Sequence, residues 1–203
     1  MSEIKTLDPY CVQVCIIPDV TMDESDLIQR CIDGDAGACA DLYQRWCGCV
    51  YRLAYGILRQ SQDAEEVTQD VFVYALSRLR SYDPCKSAFR TWLYTITISR
   101  SRNKLRRKWL PTVELDEWSE SDAERGEAAR PAEDLTEIRA EQARVWEALG
   151  KLAPKLREAV VLRYLENLTY SEIGEILKCP MRTVQSRVRL AHKELGKWLV
   201  ESG

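Results

Sequence analysis

Arg182, Thr183, Gln185, Ser186 and Arg189 bring guanidinium, hydroxyl and amide groups to one side of a short segment whose apolar residues face the other way. A glutamine amide matches the paired donor and acceptor of an adenine edge, and an arginine fork matches guanine. Arg182, Thr183 and Ser186 also suit phosphate, aided by the dipole of a helix N-terminus, and Arg187 suits the backbone or another phosphate. A second concentration lies upstream, where Arg100, Arg102, Lys104, Arg106, Arg107 and Lys108 follow Tyr82, Phe89, Trp92 and Tyr94 and the polar loop 83–87. Aromatic faces stack unpaired bases, gaining roughly 1–3 kcal/mol per base, while the cations take the phosphates. Phe89 and Trp92 also fit a plain core reading, Phe89 more readily. The third group is Glu66, Gln69 and Asp70, at i, i+3 and i+4 on one helix face. Carboxylates flanking an amide suit basic side chains on a partner helix.

These groups need helices to hold them. Ile173, Ile176 and Leu177 share one face of a short helix in which Gly174 permits a close crossing. Lys178-Cys179-Pro180 forms the turn, since proline cannot continue the first helix but is tolerated where a second begins. Val184, Val188 and Ala191 face inward on the second helix, giving a helix-turn-helix with an outward recognition face. Upstream, one apolar stripe runs through Leu27, Ile28, Cys31 and Ile32. A longer one runs through Ala40, Leu42, Tyr43, Trp46, Val50, Leu53, Ala54, Ile57 and Leu58. Asp63 is expected to start the next helix, with Glu66 as its capping-box partner and Ala64, Val67, Val71, Ala75 and Leu79 inward. Tyr82-Asp83-Pro84 marks a loop, and a basic helix follows from about Phe89. Helical periodicity resumes near Ile138, through Val145, Leu149, Leu152, Leu156, Ala159, Val160 and Leu162.

The expected architecture is all-α: two helical lobes, 23–108 and 138–203, joined by a flexible acidic linker at 109–137 and preceded by a flexible extension, 1–22. In the extension, Tyr10, Val12, Val14 and Ile16 alternate like a short strand until Pro18 ends the run. In the linker, acid residues from Glu114 to Glu137 are offset only by Arg125 and Arg130, and apolar residues are too sparse to fold alone. This segregation explains how a chain of 203 residues with a net charge of only −3 keeps two basic surfaces.

No apolar run is long enough for membrane insertion, and no leader precedes the first lobe, so a cytoplasmic location is expected. There, Cys11, Cys15, Cys31, Cys39, Cys47, Cys49, Cys85 and Cys179 are expected as reduced thiols and small core residues. The single histidine, His192, argues against mixed Cys/His zinc sites. No nucleophile–base pair or glycine-rich phosphate loop is present, so neither catalysis nor a metal or other cofactor is expected.

Three stretches together resemble the extracytoplasmic-function (ECF) class of bacterial sigma factors in the sigma-70 family: DAEEVTQDVF at 63–72, FRTWLYTI from Phe89 with its basic tract, and YSEIGEIL…CPMRTVQSR at 170–187. They span both lobes in the family's order, but not residues 1–22. The resemblance implies a factor that binds core RNA polymerase through its β and β′ subunits, directs it to promoter DNA, helps open the −10 region and later leaves. It implies that Glu66, Gln69 and Asp70 dock on the β′ clamp helices. It places Tyr82, Trp92, Ser99, Asn103, Arg106 and Arg107 at the single-stranded −10 region, where the loop before Phe89 captures an extruded base. It places Arg182, Thr183, Gln185, Ser186, Arg187 and Arg189 at the −35 element. An anti-sigma factor that clasps both lobes is a further implied partner. The acidic linker reads either as an occupant of the RNA-exit path or as a solubilising spacer.

The chain departs from the family pattern at several sites. Relatives often carry asparagine at Ser99. They commonly carry glycine at Arg182, a basic residue at Gln185, and arginines at Leu190 and His192. An unusual −35 preference follows, with Lys193 and Lys197 available for backbone grip. Two other functions fit parts of the chain: a stand-alone helix-turn-helix regulator with a sensing N-terminal lobe, and a redox or zinc sensor built on Cys11 and Cys15. The first needs no Glu66/Gln69/Asp70 face, and the second needs a bound metal or a thiol reaction.

Overall fold

Asp23 and Asp35 open the first two helices by accepting backbone N–H groups that have no partner in a first turn. Asp23 takes the amide of Ser25, and Asp35 takes those of Gly37 and Ala38 at 2.8 and 3.1 Å. The computed structural model describes residues 23–109 and 137–201. The extension 1–22, with Cys11 and Cys15, and residues 110–136 of the acidic segment lie outside the described residues. Helix α1 spans Glu24–Ile32 and α2 spans Ala36–Leu58, closing at Arg59 in the left-handed region. Helix α3 spans Ser61–Arg78, followed by a 3-10 turn, and α4 spans Phe89–Trp109. Beyond the acidic segment come α5 (Glu137–Lys151), α6 (Pro154–Val160), a π turn at Val161–Leu165, α7 (Tyr170–Leu177) and α8 (Met181–Glu201). Every regular element among the described residues is helical.

In the N-terminal lobe, Leu27, Leu42, Trp46, Leu53, Ile57, Val67, Val71, Leu93 and Ile98 are buried between α1, α2, α3 and α4. The predicted stripe on α2 drifts at its start, where Ala38 is buried and Ala40 is exposed. Tyr43 stays partly exposed, edge-on to Phe72 at 4.7 Å. Helix α3 begins two residues before Asp63, behind Gln60, with no side-chain cap. The capping box expected from Asp63 and Glu66 is therefore absent. The Asp63 carboxylate is instead buried and paired with Lys104 and Lys108 of α4.

The cysteines depart from expectation too. The short turn between α1 and α2 brings the Cα atoms of Cys31 and Cys39 to 4.9 Å, and their sulfurs are bonded. These two are a disulfide and not reduced thiols, while Cys49 is buried and Cys85 is exposed.

The C-terminal lobe packs Ile173, Ile176 and Leu177 of α7 against Val184 and Val188 of α8. Trp146, Leu149, Leu152, Val160 and Ala191 form a second cluster beside it. Trp146 occupies the inward position on α5 that periodicity assigned to Val145, which is exposed. The lobes do not stand apart. Ala159, Val161 and Leu162 join the core of the first lobe, and Val161 sits where a Cβ on Gly56 would come within 2.8 Å.

Candidate nucleic-acid interface

The turn that presents the recognition helix is built by three local devices. The Thr169 side chain accepts from the Glu172 amide while the Glu172 carboxylate takes the Thr169 backbone N–H at 2.7 Å, a reciprocal cap at the start of α7. Those bonds, from the Thr169 backbone and then its hydroxyl, together with the nearby Arg90 charge, hold the Glu172 carboxyl below the usual range. Lys178 ends α7 at φ 53°, bending the chain toward Pro180. A Cβ at Gly174 would meet the Cys179 carbonyl oxygen at 2.9 Å, so the helix crossing admits only glycine without a backbone shift. Removing the cap with Thr169→Ala should cost about 1 kcal/mol of stability, read as a lowered denaturant midpoint at unchanged slope.

On α8, Val184, Val188 and Ala191 are buried and Arg182, Gln185, Ser186 and Arg189 are exposed together. Thr183 is half-buried in the first turn. Arg187 is half-buried as well, its Nη1 lying 3.7 Å from the Cys179 sulfur, so it leans back on the turn. Leu190 and His192 extend the exposed face, with His192 beside the Tyr164 ring at 5.3 Å.

In the N-terminal lobe, Tyr82, Phe89 and Trp92 form a three-ring cluster with centroids 5.3–5.6 Å apart. Phe89 is core, whereas Tyr82 and Trp92 are half-buried at the surface. The Tyr82 hydroxyl donates to the Ser87 carbonyl at 3.0 Å, and Asp83 accepts from the Cys85 amide at 3.0 Å, which shapes the loop between them. Tyr94, grouped with these rings in the sequence, is buried beneath the second lobe and cannot meet a base.

In the basic tract Arg100 lies over the Tyr74 ring and Arg102 is paired with Glu158, and the remaining cations differ in what they face. Ser99, Asn103, Arg106 and Arg107 are exposed on α4. Lys104 and Lys108 turn back onto α3, where Lys104 meets Glu66 and Asp63, and Lys108 meets Asp63 and Gln60. The hydrogen bond that Lys104 donates to Glu66 raises the Lys104 pKa, so the ammonium stays charged there. These two lysines are occupied by carboxylates and are not available to phosphate in this arrangement. Glu66 is correspondingly less available to a partner than Gln69 and Asp70, although all three are exposed on α3. Val73 continues that face and is 72% exposed. It was missed because an apolar residue within a polar helix face reads as inward-facing.

A helix-turn-helix with an outward amide and guanidinium face, beside a lobe presenting aromatic rings and cations, defines a DNA-binding protein. The Sigma-70 region 2 family matches residues 42–110, and Sigma-70 region 4 matches residues 142–195. The chain is 30% identical over 176 residues to the ECF RNA polymerase sigma factor SigK of Mycobacterium sp. (strain KMS), covering 85% of this chain and 89% of that one. It is 29% identical to the ECF RNA polymerase sigma factor SigW of Bacillus subtilis (strain 168), covering 85% and 94%. Among solved structures, CnrH in complex with the cytosolic domain of CnrY matches with a TM-score of 0.65 at 25% identity, covering 88% of this chain and 97% of that one. The chain belongs to the ECF sigma factors of the sigma-70 family. It is a transcription initiation factor that works with RNA polymerase and directs it to promoters.

Proposed function

We propose that the first lobe docks core polymerase through α3 and handles the −10 strand through α4 and the preceding loop, while α8 reads the −35 element. The observation that carries this reading is the exposure of Arg182, Gln185, Ser186 and Arg189 on one face of α8, in a chain whose other lobe exposes Gln69 and Asp70 on one side and Arg106 and Arg107 on another. Three separate polar faces suit three separate partners: a double helix, a protein helix and a single strand. Gln69 and Asp70, flanked by Glu66 and Val73, meet the β′ clamp helices. Tyr82 and Trp92 offer ring surface to extruded bases, and Ser99, Asn103, Arg106 and Arg107 line the path of the strand.

The factor supplies recognition and opening, and the polymerase supplies the chemistry, in the cytoplasm. An anti-sigma protein is a fitting regulator, because solved sigma relatives include RpoE of Bartonella quintana in complex with the anti-sigma factor NepR. The family match across 42–110 weighs against a sensing lobe in a stand-alone regulator.

Arg106→Ala with Arg107→Ala tests the strand path. Holoenzyme carrying both substitutions should bind promoters more weakly by a similar factor for every −10 sequence, and the salt dependence of binding should flatten by about one slope unit per arginine. A loss confined to one −10 sequence would instead make them base readers.

A further inference from the structure

Arg106 and Arg107 stand on a helix end that the core scarcely holds. From position 103 to 108, α4 reads Asn-Lys-Leu-Arg-Arg-Lys, so Leu105 is the one apolar side chain there, and it is only partly buried. The last turn of a helix leaves its carbonyl groups without intrahelical partners, and such an end frays unless something fastens it. Arg106 depends on that turn being formed, since it reaches back to the Asn103 amide oxygen at 3.3 Å.

The fastening comes from the start of α3. Lys104 and Lys108 lie one turn apart on the edge of α4 that meets it. The Asp63 carboxylate sits between them, with the residue only 7% exposed, and takes both ammonium groups, Lys104 at 3.5 Å and Lys108 more closely. Glu66 takes Lys104 as well, and the Gln60 side-chain oxygen takes Lys108. Gln60 and Glu66 are exposed, so the Asp63 pairs are the ones that salt screens least. The helix ends reinforce the arrangement. Asp63 is in the first turn of α3, where orphan N–H groups favour negative charge, and Lys108 is in the last turn of α4, where carbonyls favour positive charge. Asp63 thus joins two helices, at a position where a cap would serve only one. All of these residues belong to the N-terminal lobe, so the clasp does not depend on the other lobe.

We propose that Asp63 is a positioning residue for the −10 strand: by clasping Lys104 and Lys108 it keeps the end of α4 helical and holds Arg106 and Arg107 in line with the strand. This rests on the strand path assigned above. Asp63 itself touches no nucleotide. Without the clasp, only the fraction of molecules whose α4 end is ordered can grip the strand, and apparent affinity falls by that fraction.

The test uses the full chain carrying Asp63→Asn, assembled with core polymerase. Its ligands are a single-stranded non-template −10 oligonucleotide and, separately, a −35 duplex. Asparagine keeps the side-chain shape and removes the charge, and both lysines reach water, so no buried charge is left alone. Strand binding should weaken by about tenfold, while −35 duplex binding and core binding change by less than about twofold. Amide exchange in the free protein should accelerate at residues 104–109 and stay unchanged in α2. Lys104→Gln with Lys108→Gln should reproduce both effects, and adding Asp63→Asn to that pair should add little. The slope of strand affinity against salt should stay at its wild-type value throughout, because the arginines remain the phosphate contacts. A slope that falls in the lysine variant while Asp63→Asn binds normally would make the lysines phosphate contacts and overturn the proposal. Tighter strand binding by Asp63→Asn would also overturn it, leaving the acid as a restraint on two cations. Equal losses on strand, duplex and core would reduce Asp63 to a folding role. If Arg106→Ala with Arg107→Ala leaves strand binding untouched, the strand path is misplaced and the role of the clasp goes with it. If that arginine pair weakens strand binding and Asp63→Asn does not, the clasp alone falls.

Discussion

Asp70→Lys should abolish measurable binding to core polymerase while leaving thermal stability and helicity at wild-type values. Asp70 is exposed on α3 and makes no ion pair among the described residues, so its replacement breaks no internal ion pair there. At the docking surface the same change converts an attraction into a repulsion against basic side chains. Loss of a charge-assisted pair, followed by placement of like charges, costs several kcal/mol at an interface. Glu66→Lys is a less clean probe, because it also sets a lysine against Lys104. The pair Glu66→Lys with Asp70→Lys should therefore abolish binding but also lower stability. Retained core binding by the Asp70 variant, measured by sedimentation of the complex, would move the docking surface to another face of the lobe.

Gln185→Ala should change which −35 sequence is preferred by more than it changes overall affinity. Gln185 is exposed one turn into α8, on the flank of the face that buries Val184 and Val188, where a major groove would meet it. A bidentate amide-to-adenine contact discriminates by about 1–3 kcal/mol, which corresponds to roughly five- to more than a hundredfold between the right base and a wrong one. Removing it should flatten selectivity at one −35 position and leave the others intact. Selection from a randomised −35 library with holoenzyme reads this directly. A uniform loss across all sequences would make Gln185 a backbone contact.

Local patterns in the sequence carried the helix-turn-helix almost completely. Gly174, the Lys178-Cys179-Pro180 turn and the inward set Val184, Val188 and Ala191 lie within a single stretch of chain, and all take the expected places. The exposure of Glu66, Gln69 and Asp70 followed from the same periodicity. What periodicity could not show was pairing at a distance. Asp63 looked like a helix cap because its partners, Lys104 and Lys108, lie some 40 residues away. Tyr94 looked available to a base because the glutamate covering it belongs to the other lobe. The disulfide between Cys31 and Cys39 depends on how tightly the three residues between two helices turn, and no CxxC spacing announces it. The closure of the lobes was least visible of all. An acidic stretch between two helical patterns implies separation, whereas Gly56, Val161, Glu158 and Glu166 make the contact surface only once both lobes are folded.

The most direct measurement is run-off transcription in which purified protein is added to core RNA polymerase from the same bacterium on a pool of its genomic promoter fragments. A discrete subset of fragments should be transcribed only when the protein is present, and the Asp70→Lys variant should leave every one of them silent. Selective, tight binding of those fragments by the isolated protein, with no association with core and no transcript, would contradict the account.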